Sequence, residues 1–353
     1  MTDAKQIAIV GASGVVGRAA AEHFRKQENW NVVGLSRRPP LYGPDIPHVA
    51  VDLLDEQSCH DAVEALGSVT HVAFAAVHEL PQLVDGWTSE QQTEANVRML
   101  RNLLNALETR AAKTFRHITL LQGTKAYGIH LGPIKIPAKE TDPRHMPPNF
   151  YYDQQDYIAE RSARADWNYT VLRPQVVCGF ALGTPMNLIM ALGAFAAISR
   201  ELGLPLSFPG GPDCFQEATD ARLLARAMEW AGTEPRCAGE VFNITNGDCF
   251  TWRNLWPTFA KVFGMESGHD RPMPLARMMA DKAPVWDRIV RRYRLEPISY
   301  QQLVGNWQFA DHTFRYGAGR KDSIMSTIKA RECGFHNCID SERMFVELFS
   351  DLQ

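Results

Sequence analysis

The chain has 353 residues, of which 45% are hydrophobic and 22% charged, and its formal net charge is -3. This composition is typical of a folded globular protein, and it argues against a disordered chain or one that binds nucleic acid through a basic surface. The length exceeds the usual size of one domain, so we expect a large α/β domain with a substantial second lobe.

Neither a membrane span nor a metal site is indicated. The N-terminal residues run directly into an apolar strand, which leaves no room for a signal peptide and predicts a cytoplasmic protein. The longest apolar run, Met186 to Ile198, is shorter than the roughly 20 residues that cross a bilayer, and we predict a buried helix.

Seven scattered cysteines indicate reduced thiols, and Cys333, His336 and Cys338 lack a second pair of metal ligands. We expect the partner to be a small molecule, and whether the chain forms a homodimer stays open.

Apolar runs and helical patterns alternate through the first half of the chain. Five predicted strands begin at Gln6, Val32, Val69, His117 and Tyr169. Between the third and fourth strands, the segment from Ala95 to Leu107 carries leucines at helical spacing and predicts a crossover helix. This alternation predicts βαβ units and a parallel sheet.

The second half of the chain changes character. Residues Gly128 to Pro148 have no periodicity and predict a surface loop, and after Gly179 the pattern is mostly helical with one strand candidate from Val241 to Thr245. We therefore predict an α/β fold with a Rossmann-type doubly wound parallel sheet. Residues 1–180 would form an NADP-binding domain, and residues 181–353 a mostly helical substrate-binding lobe that shares some strands with the sheet.

A glycine-rich turn follows the first strand and opens a helical run. In this context Gly11 permits the tight turn, Gly14 lets the backbone approach a pyrophosphate, and Gly17 allows the helix to pack on the strand. The helix N-terminus supplies free N–H groups for phosphate. The turn predicts a nucleotide site whose other members are Ser13, Val15 and Val16.

The end of the second strand selects the cofactor. It reads Ser36-Arg37-Arg38, with no carboxylate for the ribose hydroxyls of NAD, and two guanidinium groups can hold the ribose phosphate of NADP. The predicted cofactor is therefore NADPH. We expect further cofactor contacts at two places, the adenine edge and the end of the third strand: Asp52, Leu53, Ala75, Ala76 and Val77.

The reacting groups of an open α/β sheet lie beyond the carboxyl ends of its strands. Lys125 follows the strand that starts at His117, and Tyr151 precedes the next predicted helix. Ordinary short-chain dehydrogenases place a catalytic tyrosine four residues before a lysine, and none of the nine tyrosines here has that partner. Tyr157 with Arg161 is the nearest approach.

Several motifs in order resemble the progesterone 5β-reductase and iridoid synthase family, a group of atypical extended short-chain dehydrogenases. They are Ser-Arg-Arg-Pro at 36–39, Gly-Thr-Lys at 123–125, Asn-Phe-Tyr-Tyr at 149–152, Arg173-Pro174 with Gly179, the helix start Pro-Met-Asn-Leu at 185–188, the Phe-Asn-Ile-Thr-Asn-Gly-Asp stretch at 242–248 with Trp252, and the tail from Lys282 through Trp307 to Phe335. The resemblance covers nearly the whole chain. It implies NADPH-dependent reduction of an activated double bond, with hydride passing to the β-carbon of an enone or enal.

The resemblance also implies residue roles. Tyr151 would stabilise the enolate, and Lys125 would orient the nicotinamide ribose and bias Tyr151 electrostatically. Adjacent residues on a helix point about 100° apart, so only one of the two tyrosines can face the nicotinamide, and we expect Tyr152 to be structural. Further contacts to the cofactor are expected from Gly123, Pro174, Val176 and Val177, and to the substrate from Phe150, Tyr127, Met186 and Phe215.

One segment departs from the family pattern. The loop between Lys125 and Tyr151 is shorter than in the plant enzymes and carries Pro133, Pro137 and His145, and we expect it to border the substrate entrance. Three alternatives stay open at this point: a carbonyl reductase, a sugar-nucleotide epimerase or dehydratase, and a non-catalytic NADP sensor. The epimerase alternative requires the tyrosine–lysine helix pair that the sequence lacks.

Overall fold

A parallel sheet forms the centre of the protein. The structure is a computed structural model and describes residues 5–40, 45–146 and 148–352. Within these residues it has the strands β1 (Lys5–Val10), β2 (Trp30–Ser36), β3 (His48–Ala50), β4 (His71–Phe74), β5 (His117–Leu121), β6 (Asn168–Pro174), β7 (Val177–Cys178), β8 (Thr219–Asp220) and β9 (Glu240–Ile244). Seven of them form one sheet in the order β3-β2-β1-β4-β5-β6-β9, and β7 pairs with β8 separately.

The strand order reverses at β1. Val10, the last residue of β1, pairs in parallel with Leu35 of β2 on one side and with Phe74 of β4 on the other. Chain connections leave in opposite directions from this point, so a crevice opens beyond the carboxyl ends of β1 and β4, where dinucleotides bind in such sheets. The predicted doubly wound α/β fold is confirmed.

Helices cover both faces of the sheet and build the second lobe. They are α1 (Val15–Phe24), α2 (Glu56–Leu66), α3 (Leu83–Gly86), α4 (Glu90–Arg110), α5 (Phe150–Ser162), α6 (Leu188–Glu201), α7 (Ala221–Thr233), α8 (Trp252–Val262), α9 (Leu275–Met278), α10 (Ala283–Tyr293), α11 (Tyr300–Leu303), α12 (Gln308–Thr313), α13 (Ile328–Glu332) and α14 (Ser341–Asp351). Short 3₁₀ turns lie at Thr124–Tyr127 and Pro235–Cys237.

Each face of the sheet has its own apolar core. On one face α1 and α7 pack through residues such as Phe24 and Leu224, and on the other α2 and α4 pack through residues such as Val63 and Leu103. Burial of these side chains is the main driving force for the layered arrangement. The predicted crossover helix is α4, whose leucines at 100, 103, 104 and 107 are buried.

The second lobe has a third core, rich in aromatic rings. α6, α8, α10 and α14 contribute to it, and the Trp252 ring centroid lies 5.0 Å from that of Phe314 and 5.6 Å from that of Phe345. α6 contains the apolar run predicted to be a buried helix. β9, which matches the strand candidate from the second half, extends the main sheet beside β6. The exact domain division stays a prediction.

Two further expectations concern the ends and the loops. Between Gly128 and Pro148 the described residues form neither helix nor strand, as predicted, with Pro147 outside the description. The prediction that the chain has no signal peptide rested in part on Met1 to Ala4, which also lie outside the described residues. In the described part of the chain no helix has the length and apolar character needed to span a membrane.

Candidate active site

The glycine-rich turn is shaped by close backbone approaches. Gly11 has a φ of 86°, and a Cβ there would lie 2.9 Å from the backbone nitrogen of Ala76. A Cβ on Gly17 would lie 2.2 Å from the carbonyl oxygen of Gly11. α1 then begins at Val15, and its N-cap residue Gly14 makes no side-chain capping bond. The first N–H groups of α1 are therefore available to an anion, which fits a cofactor pyrophosphate.

Two free cations follow β2. Arg37 and Arg38 are exposed, and among the described residues neither forms an ion pair. The Ser36 hydroxyl donates to the backbone carbonyl of Arg38 at 2.7 Å and lies 3.0 Å from His48 Nε2. These contacts fix the turn after β2, and the unpaired guanidinium groups fit a ribose phosphate.

The other predicted cofactor residues lie around the same crevice. Ala75, Ala76 and Val77 follow β4, and Ala76 faces Gly11. Pro174 ends β6, Val176 follows two residues later, Val177 begins β7, and Gly123 follows β5. Asp52 and Leu53 follow β3, and the Leu53 carbonyl accepts a bond of 2.9 Å from Asn102 on α4. Ser13 and Val16 lie in the turn and in the first turn of α1.

Lys125 lies in an aromatic enclosure at the carboxyl end of β5. Its side chain is 13% exposed, and its Nζ lies 4.7 Å from the Trp87 ring centroid, 5.5 Å from that of Tyr151 and 5.6 Å from that of Phe150. Ring faces attract a cation at such distances. The structure therefore brings Lys125 and Tyr151 together, although 26 positions separate them in the chain and they lie on different elements.

A buried carboxylate accompanies Lys125. Glu79 Oε1 lies 3.6 Å from Lys125 Nζ, and the Glu79 side chain is 2% exposed. Gln92 of α4 donates to Glu79 Oε2 at 2.7 Å and accepts from the Leu80 N–H at 3.0 Å. One turn later, Asn96 bonds both the N–H and the carbonyl of His78. α4 thus holds the segment after β4 against Lys125.

Sequence reasoning missed Glu79. The segment His78-Glu79-Leu80 after β4 has no periodicity that would show which of its side chains is buried. A signal was present on α4, where Gln92 and Asn96 stand four residues apart on a face that is otherwise apolar. Buried polar side chains at that spacing must have polar partners, and the loop after β4 was the nearest source.

Burial, and to a lesser degree the neighbouring charges, shifts the pKa values of both predicted catalytic residues. Burial lowers the pKa of Lys125, and the Glu79 carboxylate acts in the opposite direction. Burial raises the pKa of Tyr151, the Glu79 charge raises it further, and Arg173 opposes this rise. Tyr151 is consequently a neutral phenol near neutral pH, which makes it a hydrogen-bond donor rather than a base.

Backbone bonds fix Tyr151 at the start of α5. Asn149 caps the helix by accepting from the Tyr151 N–H at 3.1 Å, and Gln122 donates to the Tyr151 carbonyl at 2.8 Å. Arg173 in turn donates to Gln122 Oε1 at 2.8 Å. A Cβ on Gly123 would lie 3.5 Å from the Tyr151 hydroxyl oxygen. Among the described residues the hydroxyl has no hydrogen-bond partner.

The neighbouring tyrosines are engaged elsewhere. The Tyr152 hydroxyl donates to the carbonyl of Ala126 at 2.8 Å and accepts from the His145 N–H at 3.1 Å. The Tyr127 hydroxyl donates to Asn243 Oδ1 at 2.6 Å. Of these three phenols, only that of Tyr151 keeps a free proton.

The predicted substrate residues separate into two groups. Phe150 contacts Lys125 and Tyr151 through its ring, with 4.6 Å between the Phe150 and Tyr151 centroids. Met186 is partly exposed and Phe215 is 46% exposed, and no contact among the described residues joins either one to Lys125 or Tyr151.

Solved structures share the fold. A UDP-glucose 4-epimerase of Thermus thermophilus in complex with NAD aligns with a TM-score of 0.66 over 98% of this chain and 99% of its own, at 17% identity. A putative epimerase of Burkholderia cenocepacia aligns with a TM-score of 0.66 over 99% and 97%, at 18% identity. These likenesses concern the fold alone.

Curated relatives are more similar in sequence. An (S)-8-oxocitronellyl enol synthase of Camptotheca acuminata is 35% identical over 94% of this chain and 88% of its own length. A 3-oxo-Delta(4,5)-steroid 5-beta-reductase of Arabidopsis thaliana is 32% identical over 96% and 89%. The family model described as a PRISE-like Rossmann-fold domain matches residues 9–305. The chain therefore belongs to the PRISE-like family of Rossmann-fold proteins.

Proposed function

We propose that the protein is an NADPH-dependent reductase of activated carbon–carbon double bonds, which adds hydride to the β-carbon of an enone or enal. The observation that carries this proposal is the unbonded hydroxyl of Tyr151 beside the buried ammonium of Lys125, whose Nζ lies 5.5 Å from the tyrosine ring. Both lie at the sheet edge that the glycine-rich turn occupies. The relatives named for an enol synthase and a steroid 5-beta-reductase support this class of reaction.

The chemistry assigned to Tyr151 follows from its protonation. A bound nicotinamide cofactor would supply hydride. When hydride adds to the β-carbon, negative charge develops on the carbonyl oxygen, and a donor already in place binds that oxygen more strongly in the transition state. Because burial keeps the proton on Tyr151, we expect the enolate to form as a hydrogen-bonded anion. The α-carbon then takes a proton from water.

Lys125 would contribute a positive charge and orientation. Its ammonium, held among three aromatic rings, can bond a ribose hydroxyl of the nicotinamide half and favour the charge that develops near Tyr151. Glu79 would act as a positioning residue that keeps Lys125 protonated in surroundings that otherwise favour its neutral form. The pair replaces the tyrosine–lysine helix motif of ordinary short-chain dehydrogenases.

The preference for NADPH rests on Arg37 and Arg38. Both guanidinium groups are exposed after β2 and have no carboxylate partner among the described residues. A carboxylate at this position would select the ribose hydroxyls of NAD, and cations select the phosphate of NADP.

Turnover by two adjacent tyrosine variants tests the proposal. Wild type, Tyr151→Phe and Tyr152→Phe are assayed with NADPH and cyclohexenone, and the products are identified by mass spectrometry. Loss of an oxyanion donor should lower kcat by about a hundredfold to a thousandfold in Tyr151→Phe, with the Kd for NADPH unchanged. Tyr152→Phe is the matched control, because it loses two structural hydrogen bonds of about 1 kcal/mol each and should retain kcat.

The donor assignment and two of the alternatives have their own outcomes in this assay. Full activity in Tyr151→Phe would contradict the donor assignment. An allylic alcohol product would indicate a carbonyl reductase, and tight NADPH binding without turnover of any enone would indicate a cofactor sensor.

A further inference from the structure

Arg315 is a buried cation without a counterion. Its residue surface is 5% exposed, and its Nε is buried without a hydrogen-bond partner. Among the described residues no hydrogen bond or ion pair reaches its side chain. A guanidinium group stays charged, and burying an unpaired charge is costly. A bound ligand that carries a negative charge would remove this cost.

The position of Arg315 connects it to the candidate active site. It follows α12, and its backbone N–H donates to the carbonyl of His312 at 3.2 Å. The His312 ring centroid lies 4.7 Å from that of Trp87, and Lys125 Nζ lies 4.7 Å from Trp87. The charges of Arg315 and Lys125 both act on the His312 ring, so Arg315 belongs to the wall of residues around this ring.

A second unpaired cation lies on the same wall. Lys321 forms no ion pair among the described residues, and its backbone N–H lies 3.3 Å from Cys214 Sγ. Burial, together with the charges of Arg315, Lys321 and Lys125, lowers the pKa of His312 to about 3. Positive charge therefore acts on His312 from three residues.

The nearby carboxylates do not neutralise this charge. Asp311 accepts from two backbone N–H groups at the start of α9, at 2.7 and 3.0 Å. Asp322 pairs with Arg320 at 3.3 Å, and Glu79 pairs with Lys125. Arg315 and Lys321 are left as an excess of positive charge.

We propose that the natural substrate is an enone or enal that carries a carboxylate, and that Arg315, supported by Lys321, binds this carboxylate while the carbonyl oxygen meets Tyr151. This inference rests on the proposed function, since it assigns the substrate class of the same site. The phosphates of the cofactor are a less suitable anion, because Arg37 and the start of α1, which follow β2 and β1, fit them, whereas Lys125 follows β5 further along the sheet.

The first experiment compares an acid with its ester. Wild type, Arg315→Met and Arg320→Met are assayed with trans-β-acetylacrylate and its methyl ester. Arg320 is the matched control: it lies in the same loop, is 61% exposed and already has Asp322 as a partner. Wild type and Arg320→Met should prefer the acid in kcat/KM. Loss of a buried charge pair should lower kcat/KM for the acid in Arg315→Met by about tenfold or more, with little change for the ester. Equal losses for acid and ester would overturn the proposal.

Two further measurements separate the ways in which it can fail. Arg315→Met should not lower Tm, because it removes an unpaired buried charge, and a clear fall would make Arg315 a structural residue. Levulinate should raise the Tm of the NADPH-loaded wild type but not that of Arg315→Met, whereas methyl levulinate should act equally on both. This binding test stands even if no enone is reduced. An increase of the NADPH Kd in Arg315→Met would assign the anion to the cofactor and contradict the proposal.

Discussion

Replacing Glu79 with glutamine should move the pH dependence of the reaction. The change keeps the shape of the side chain and its contact with Gln92 but removes the negative charge 3.6 Å from Lys125 Nζ. At this separation, with an effective dielectric constant of about 20, the lost attraction is worth about 5 kcal/mol. Both side chains are largely buried, so solvent screens little of it. Burial then lowers the pKa of Lys125 without opposition.

Glu79→Gln should move the alkaline fall of kcat/KM to a lower pH. Lys125 loses its proton at a lower pH in Glu79→Gln than in wild type, so kcat/KM should begin to fall at a lower pH as the pH rises. The other titratable groups that face Lys125 are Tyr151, whose pKa burial raises, and His130 and His312, whose pKa values are lowered to about 4 and about 3. All three stay neutral around pH 7, so none of them produces this shift.

The assay is a pH profile of kcat/KM with cyclohexenone for wild type, Glu79→Gln and Asp85→Asn. Asp85 is an exposed carboxylate on α3, and its replacement should leave the profile unchanged. An alkaline limb at the same pH in Glu79→Gln and wild type would show that Glu79 does not hold the proton on Lys125. A uniform loss of activity at every pH would reduce Glu79 to a packing role.

Three other changes test separate parts of the site. Arg37→Ala should weaken NADPH binding by about tenfold to a hundredfold and leave NADH nearly unaffected, as measured by fluorescence titration, and equal losses would assign the phosphate contact elsewhere. Gly17→Ala should lower the free energy of unfolding by about 1–3 kcal/mol in urea, because its Cβ would meet the carbonyl oxygen of Gly11 at 2.2 Å. Lys125→Met should lower the free energy of unfolding by about 3–5 kcal/mol, because it leaves the buried Glu79 carboxylate unpaired. The double variant Lys125→Met with Glu79→Gln should recover most of that lost stability. A double variant as unstable as Lys125→Met would show that packing, not charge, sets the cost.

Local patterns were sufficient to predict the sheet and the nucleotide turn. The strands of the first half are short apolar runs buried on both faces, and their helices carry a clear apolar stripe, so both periodicities are visible in the sequence. The glycine-rich turn could be predicted because close backbone approach excludes a Cβ at Gly11 and Gly17. β9 was found as a strand candidate, but its place beside β6 depends on a contact between residues that are far apart in the chain.

The charged groups around Lys125 could not be predicted in the same way. Glu79 and Arg315 come from loops without periodicity, and their importance arises from burial, which loop sequence does not reveal. The enclosure of Lys125 by Trp87 likewise joins two loops that have no pattern in common. Lys125 and Tyr151 were identified through the family resemblance rather than through their spacing, because the contact between them is tertiary.

The most direct test of the central claim is the position of the transferred hydride. Wild-type protein is given NADPH deuterated at the transferring position together with cyclohexenone, and the product is examined by deuterium NMR. If the protein reduces the carbon–carbon double bond, the product is cyclohexanone with deuterium at the β-carbon. Deuterium on a carbinol carbon, in an allylic alcohol, would contradict this claim.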